Sequence, residues 1–182
     1  YTKDRLGLDD GRMGVLLLFL GAGAIILMPI SGWLISKIGS LKTMIASAVV
    51  MSVALPLLLL MDSSVAMAAM LFVFGAGLGS IDVAMNAHGV QIQNLSEKPI
   101  MSSIHGFFSV GGLVGPLAIG LLIKLGITPL MAAISVSGLM MLIVLTQFRF
   151  LMDAATEVKV NRRFAPEKSE ESSGGASWLN AQ

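Results

Sequence analysis

Cysteine is absent from this 182-residue chain, and charged residues are scarce, at 13% of the total. The lack of cysteine excludes disulfide bonds and thiolate metal sites from the sequence given. Soluble domains carry about 25% charged residues, so the low charged fraction, together with 55% hydrophobic residues, indicates a membrane protein. The net charge of +1 favours no particular charged partner, and we predict no nucleic-acid binding.

Acidic residues are missing from the interiors of the long apolar segments, with the single exception of Asp82. Each segment is long enough to cross a hydrocarbon core about 30 Å thick. We therefore predict an all-α membrane protein with five transmembrane helices, at residues 13–36, 43–61, 65–90, 100–123 and 128–148. Residues 1–12 are predicted to form an external segment. Residues 151–182 are predicted to form a cytoplasmic central loop that is largely disordered.

The distribution of basic residues predicts the orientation in the membrane. Lysine and arginine are more frequent on the cytoplasmic side of membrane proteins. The side that holds the loops at 37–42 and 91–99 and the tail is the more basic, so we predict that it is cytoplasmic. The chain begins with Tyr1 and lacks a charged region followed by a cleavage site, so we expect no signal peptide. Five spans with an external N-terminus then lead us to expect a fragment that lacks a preceding helix.

One helical face of residues 71–93 combines an acid with glycines. At about 100° per residue, this face is a stripe about 80° wide, formed by Gly75, Gly79, Asp82, Asn86, Gly89 and Gln93. A carboxylate near the bilayer centre costs about 2.5–3.5 kcal/mol on insertion scales, which makes it a candidate functional group. Asp82 is predicted to bind a proton or a solute, and Asn86 to bind a solute hydroxyl. The alternative is that both side chains only make structural hydrogen bonds to neighbouring helices.

The two histidines lead to different interpretations. His105 shares a helical face with Ser109, and both are candidate substrate- or proton-binding residues. Alternatively, His105 is bonded to a loop carbonyl. His88 lies about 240° from Asp82 around their helix, so the two do not face each other and we interpret His88 as structural. These side chains match no metal-ligand spacing, and we predict neither a metal site nor a cofactor.

Residues 32–42, GWLISKIGSLK, resemble the conserved loop of the major facilitator superfamily, whose pattern is G-x-L-x-D-R-x-G-R-[RK]. The matching positions are Gly32, Leu34, Lys37, Gly39 and Lys42. Ser36 stands where the family has Asp, and Ser40 where it often has Arg. The segments GLGSIDVAMNAHG and HGFFSVGGLVGPLAIG are similar to the fourth and fifth helices of the fucose-permease-like branch of that family.

This resemblance implies a transporter of twelve helices in two six-helix halves that works by alternating access. The five spans would be helices two to six of the N-terminal half, in a bacterial inner membrane, with the third and sixth helices peripheral. The implied function is secondary transport of a small polar solute, with a sugar-like solute and coupling to protons as the finer expectation. Gly32, Lys37, Gly39 and Lys42 would form a conformational loop, and the partner would be a missing C-terminal half. An inactive or scaffold-type membrane protein is the alternative, and an intramembrane enzyme using Asp82 is a weaker one.

Overall fold

The computed structural model describes residues 2–164, and these residues form an all-α membrane fold. Five of the helices are long and apolar enough to cross a membrane, as the sequence predicts. In chain order the helices are α1 (Thr2–Arg5), α2 (Asp10–Ile38), α3 (Ser40–Leu58), α4 (Ser64–Leu95), α5 (Met101–Lys124), α6 (Pro129–Gln147) and α7 (Ala154–Phe164), and a 3₁₀ turn (Phe148–Phe150) follows α6.

Polar caps define the N-terminal ends of three spans. Asp9 accepts a hydrogen bond from the backbone N–H of Arg12 at 2.7 Å and caps α2. Ser63 caps α4, and Thr128 caps α6 immediately before Pro129. Each cap satisfies one of the backbone donors that the first helical turn leaves free.

A single glycine connects α2 to α3. Gly39 has a φ of +88°, a left-handed value that side chains other than glycine rarely adopt. Its N–H donates to the carbonyl of Ile35 at 2.9 Å, and α3 begins at the next residue, Ser40. Of residues 32–42, the segment that resembles the superfamily loop, only Gly39 therefore lies outside the two helices.

The structure differs from the sequence prediction most clearly at α4 and at α7. The spacing predicts a loop from residue 91, but α4 continues to Leu95. The side chain of Gln93 explains this extension, because its Oε1 accepts from the N–H of Ile100 at 2.7 Å and its Nε2 donates to the carbonyl of Lys98 at 3.1 Å. The second difference is α7, which occupies part of the segment predicted as a largely disordered loop. Residues 165–182 of that prediction lie outside the described residues.

Helix α4 forms the centre of the bundle. Helices α2 and α3 pack against it on two sides, and α6 packs on α3. By contrast, α5 buries none of its residues within the part of the chain that the structure describes. The sequence interpretation places α3 at the periphery of the transporter. In the structure one face of α3 is buried, with Thr43 and Ser47 inside. Their hydroxyls donate to carbonyls four residues earlier, so burial leaves them hydrogen-bonded.

The segment before α2 folds back on the far end of α3. The guanidinium group of Arg5 donates to the carbonyls of Leu59 and Met61, just after α3 ends. Lys3 pairs with Asp10 at 2.5 Å at the start of α2. We call this the α1 end of the bundle, and the opposite end, where Gly39 connects α2 and α3, the α7 end.

Candidate functional site

Asp82 and Asn86 form a hydrogen-bonded pair on α4. Nδ2 of Asn86 donates to the backbone carbonyl of Asp82 at 2.9 Å and to its carboxylate Oδ1 at 3.3 Å. Both residues are half-buried. The acid therefore has a polar partner one helical turn away, on its own helix.

The glycine stripe on which this pair lies is mainly a packing seam. A Cβ atom at Gly75 would lie 1.9 Å from the carbonyl oxygen of Leu20, and one at Gly79 would lie 2.6 Å from that of Ala24. At Gly75 and Gly79, the space beside the stripe is therefore filled by the backbone of α2. At the other end of the stripe, a Cβ at Gly89 would lie 2.9 Å from the sulfur of Met101 at the start of α5.

Asp82 and Asn86 lie on the stripe between these two contacts. A side-chain hydrogen bond of 2.6 Å from Ser31 of α2 to Ser80 of α4 ties the two helices together near this position. The glycine face of α4 thus packs against α2 at one end and against α5 at the other. Asp82 and Asn86 lie between these two contacts.

His105 and Ser109 are both exposed on α5. The hydroxyl of Ser109 donates to the backbone carbonyl of His105 at 3.1 Å, within the same helix. No hydrogen bond among residues 2–164 joins either side chain to Asp82 or Asn86. The structure therefore does not bring the four candidate residues into one cluster.

The predicted conformational loop lines a cleft of about 610 Å³ at the α7 end. Lys37 and Lys42, both exposed, border it together with Gly32 and Gly39. Ser36 of α2, Gln91 of α4 and Asn161 of α7 also line it with polar side chains, and Gln91 is itself buried.

Three side chains that the sequence interpretation did not connect form a buried polar cluster beside this cleft. Ser40, His88 and Glu157 have relative exposures of 0%, 5% and 3%. The carboxylate of Glu157 accepts the backbone N–H of Ser40, at 3.0 Å to Oε2 and 3.2 Å to Oε1. It also accepts the Ser40 hydroxyl. We call these three residues the Glu157 cluster.

The bonding of His88 assigns its tautomer. The backbone N–H of Met152 donates to Nε2 at 3.4 Å, so this nitrogen is an acceptor. Nδ1 then carries the proton, and it lies 2.7 Å from the Ser40 hydroxyl and 3.4 Å from Oε1 of Glu157. A continuous chain of donors therefore runs from the imidazole through the serine to the carboxylate.

Glu157 caps α3 from a position 117 residues away in the sequence. Gly39, which precedes α3, has no side chain that could satisfy the first backbone donors of the helix. The amino terminus of a helix carries a partial positive charge, which stabilises a carboxylate placed there. The cluster therefore binds α7 to the first turn of α3 and to α4.

Within residues 2–164, no three His, Asp or Glu side chains are grouped in a way that could hold a metal ion. In particular, Asp82, His88 and His105 do not converge.

We expect acidification below pH 4 to loosen the first turn of α7. Hydrogen bonds from the side chain and the backbone of Thr156 hold the pKa of Asp153 below its ordinary value of 3.8. A lowered pKa means that Asp153 stabilises the folded state fully above its unfolded pKa, and that this contribution is lost as the pH falls through the lowered value. Hydrogen exchange of the α7 amides between pH 5 and pH 2.5 measures the effect. Asp153→Asn keeps a capping side chain that does not titrate, and an unchanged pH profile in this variant would contradict the assignment.

Comparison with protein families shows which family the chain belongs to. The model of the Major Facilitator Superfamily matches residues 1–180. The chain belongs to the Major Facilitator Superfamily. An uncharacterized major-facilitator-type transporter of Yersinia pestis is 40% identical over 157 residues, which are 86% of this chain and 41% of the relative. The uncharacterized transporter y4wD of Sinorhizobium fredii is 36% identical over 132 residues, 70% of this chain and 35% of the relative.

A third relative is the membrane protein MosC of Rhizobium meliloti, 30% identical over 122 residues, 67% of this chain and 30% of the relative. The chain thus spans about two fifths or less of the length of these superfamily members. No solved structure matches it.

A weak signal for the Glu157 cluster of this superfamily member is present in the sequence of α7. Glu157 is the only acid in the segment 154–164, and it lies three residues before Val160, so the two share a helical face. An acid on the apolar side of an amphipathic helix indicates a buried partner. The segment alone did not identify Ser40 and His88 as that partner, because they lie 117 and 69 residues away.

Proposed function

We propose that this chain is part of a secondary active transporter that moves a small polar solute by alternating access. The observation that carries the proposal is the Asp82–Asn86 pair, which lies half-exposed in a span that contains no other acid. Membership of the Major Facilitator Superfamily and the names of two transporter relatives support it.

The pair offers the chemistry that a hydroxyl-rich solute needs. The Asp82 carboxylate accepts hydrogen bonds and can carry a proton, and Asn86 both donates and accepts. Nδ2 of Asn86 is engaged with Asp82, while its Oδ1 receives no donor among residues 2–164. A sugar-like solute could donate to both oxygens, and His105 and Ser109 on exposed α5 would complete the site when α5 faces it.

The wider setting belongs to the same proposal. The chain would supply helices two to six of the N-terminal half of a twelve-helix transporter, and a C-terminal half would close the solute path. The membrane would be a bacterial inner membrane, with the α7 end cytoplasmic, because most lysines and arginines lie at that end. The residues that line the 610 Å³ cleft, Lys37 and Lys42 among them, would move during the transport cycle.

A non-transporting scaffold is the second candidate. One observation favours it: at the loop position where the superfamily has an acid, the hydroxyl of Ser36 donates to the carbonyl of Trp33 at 2.6 Å, within its own helix. The hydroxyl is therefore already engaged within α2.

Asp82→Asn is expected to abolish proton-coupled uptake by the full-length protein in proteoliposomes. The amide does not take up a proton as the carboxylate does, so proton coupling is lost, and a charged hydrogen-bond acceptor becomes a neutral one. Hydrogen bonds to charged groups are worth about 1.5–3 kcal/mol against about 0.5–1.5 kcal/mol for neutral ones, so solute affinity should also fall about fivefold to tenfold. The assay measures uptake of a panel of radiolabelled monosaccharides and polyols under an imposed proton gradient. Asp62→Asn makes the same chemical change at an exposed turn and should leave uptake unchanged. Wild-type uptake and proton stoichiometry in Asp82→Asn would reject the role of Asp82, and uptake of no panel member by the wild type would favour the scaffold.

A further inference from the structure

Very little of α7 is buried, and this makes its attachment to the bundle depend on few groups. Among the side chains of α7 that the structure describes, only Glu157 and Val160 are buried. Others, such as Val158 and Lys159, are exposed. One apolar contact and one ionisable group therefore hold the helix in place.

The ionisable group is bound without a strong counter-ion. Glu157 accepts hydrogen bonds from the backbone and hydroxyl of Ser40 and faces His88, and no lysine or arginine among residues 2–164 lies within ion-pair distance of it. Burial of a carboxylate costs free energy that hydrogen bonds and a helix terminus offset only when all of them are in place. Docking of α7 is therefore finely balanced, and loss of one partner should tip it towards release.

The docked helix also covers the connection between α2 and α3. Ser40 is fully buried under Glu157, and it immediately follows Gly39, the single residue between the two helices. Val158 and Asn161 of α7 form part of the wall of the cleft that Lys37 and Lys42 border. Release of α7 would thus uncover the first turn of α3 and open that wall.

We propose that Glu157, Ser40 and His88 form a releasable clasp that docks α7 across the first turn of α3 and restrains the Gly39 connection. Glu157 is the positioning residue of the clasp: it acts through the backbone of Ser40. His88 links the clasp to α4 and, through its Nε2, to the backbone of Met152 just before α7. This inference concerns the docking of α7 and does not depend on whether the protein transports a solute.

The absence of cysteine from the sequence permits a direct test in the intact chain. Val160→Cys places the only thiol beneath α7, at a position that is 6% exposed. Val158→Cys places it on the same helix at a position that is 49% exposed. The rate of maleimide labelling in micelles is measured for both. With α7 docked, the thiol at position 160 should react much more slowly than the thiol at position 158.

Glu157→Gln is then combined with each reporter. The amide keeps the shape of the side chain but removes its charge, so the hydrogen bonds to Ser40 weaken. Labelling at position 160 should accelerate about tenfold or more, while labelling at position 158 should not change. Glu97→Gln is the matched control, because Glu97 is exposed in the connection between α4 and α5.

A third reporter separates release of α7 from general unfolding. Ala84 is fully buried in α4, and Ala84→Cys should remain slow to label in the Glu157→Gln background. Equal labelling rates at positions 158 and 160 in the otherwise unmodified chain would overturn the docking of α7. An unchanged rate at position 160 in Glu157→Gln, or an equal acceleration at position 84, would overturn the clasp.

Discussion

Gly75→Ala is expected to destroy the native packing of α2 on α4. The added Cβ would lie 1.9 Å from the carbonyl oxygen of Leu20, 2.7 Å from its carbonyl carbon and 2.9 Å from its Cα. All three atoms belong to the backbone of α2, so no side-chain rotation relieves the overlap and the helices must separate. Overpacking of a close-packed core typically costs 1–3 kcal/mol and occasionally more, and we expect a loss of about 3 kcal/mol or more here. Unfolding by SDS in mixed micelles measures the loss.

Gly14→Ala on α2 is the matched control for this substitution. Nothing lies within 4 Å of a Cβ atom built at Gly14. Alanine is a better helix former than glycine by about 1 kcal/mol, so this variant should be as stable as the wild type or slightly more stable. Gly23→Ala, whose Cβ would lie 2.1 Å from the carbonyl oxygen of Phe72, should resemble Gly75→Ala. The seam would be refuted if Gly75→Ala and Gly14→Ala unfolded at the same SDS fraction.

His88→Leu is expected to destabilise the bundle, because Ser40 and Glu157 stay buried without their histidine partner. The substitution removes the ring nitrogen that lies 2.7 Å from the Ser40 hydroxyl and 3.4 Å from Glu157. A buried carboxylate then keeps only its bonds to Ser40. Removal of one hydrogen-bond partner from a buried polar group costs about 1–3 kcal/mol, and more when the group left behind is charged, as the Glu157 carboxylate is. The same SDS unfolding assay measures this cost.

A double substitution distinguishes the pair from two independent residues. In His88→Leu with Glu157→Leu, the buried charge is removed together with its partner, so the loss should be smaller than the sum of the two single losses by about 0.5–3 kcal/mol. Strict additivity would show that His88 and Glu157 do not interact. His105→Leu, on exposed α5, is the histidine control and should unfold like the wild type.

The five spans could be predicted because hydropathy is a local property. A run of apolar residues must leave water wherever its neighbours lie, and caps such as Asp9 and Thr128 act within one turn of their own helix. The family resemblance of residues 32–42 was equally local, and the superfamily match confirms it. The assignments of Asp82, Asn86, His105 and Ser109 to solute or proton binding remain predictions.

The meaning of the glycine stripe could not be read from one helix. Angular arithmetic on α4 places Gly75, Gly79 and Asp82 on one face, but it does not say what that face contacts. Only the structure shows that the backbone of α2 fills the stripe at Gly75 and Gly79. Periodicity reports which residues share a side, whereas packing depends on the helix that arrives there.

The sequence by itself determined an all-helical membrane chain of five spans, because burial in lipid requires each segment to satisfy its own backbone. The tertiary structure alone decided that Glu157, Ser40 and His88 meet, since their contacts join three helices far apart in the chain. A hydrogen bond between distant residues leaves no periodic pattern in the sequence of either segment. Only the folded bundle brings the donor and the acceptor together.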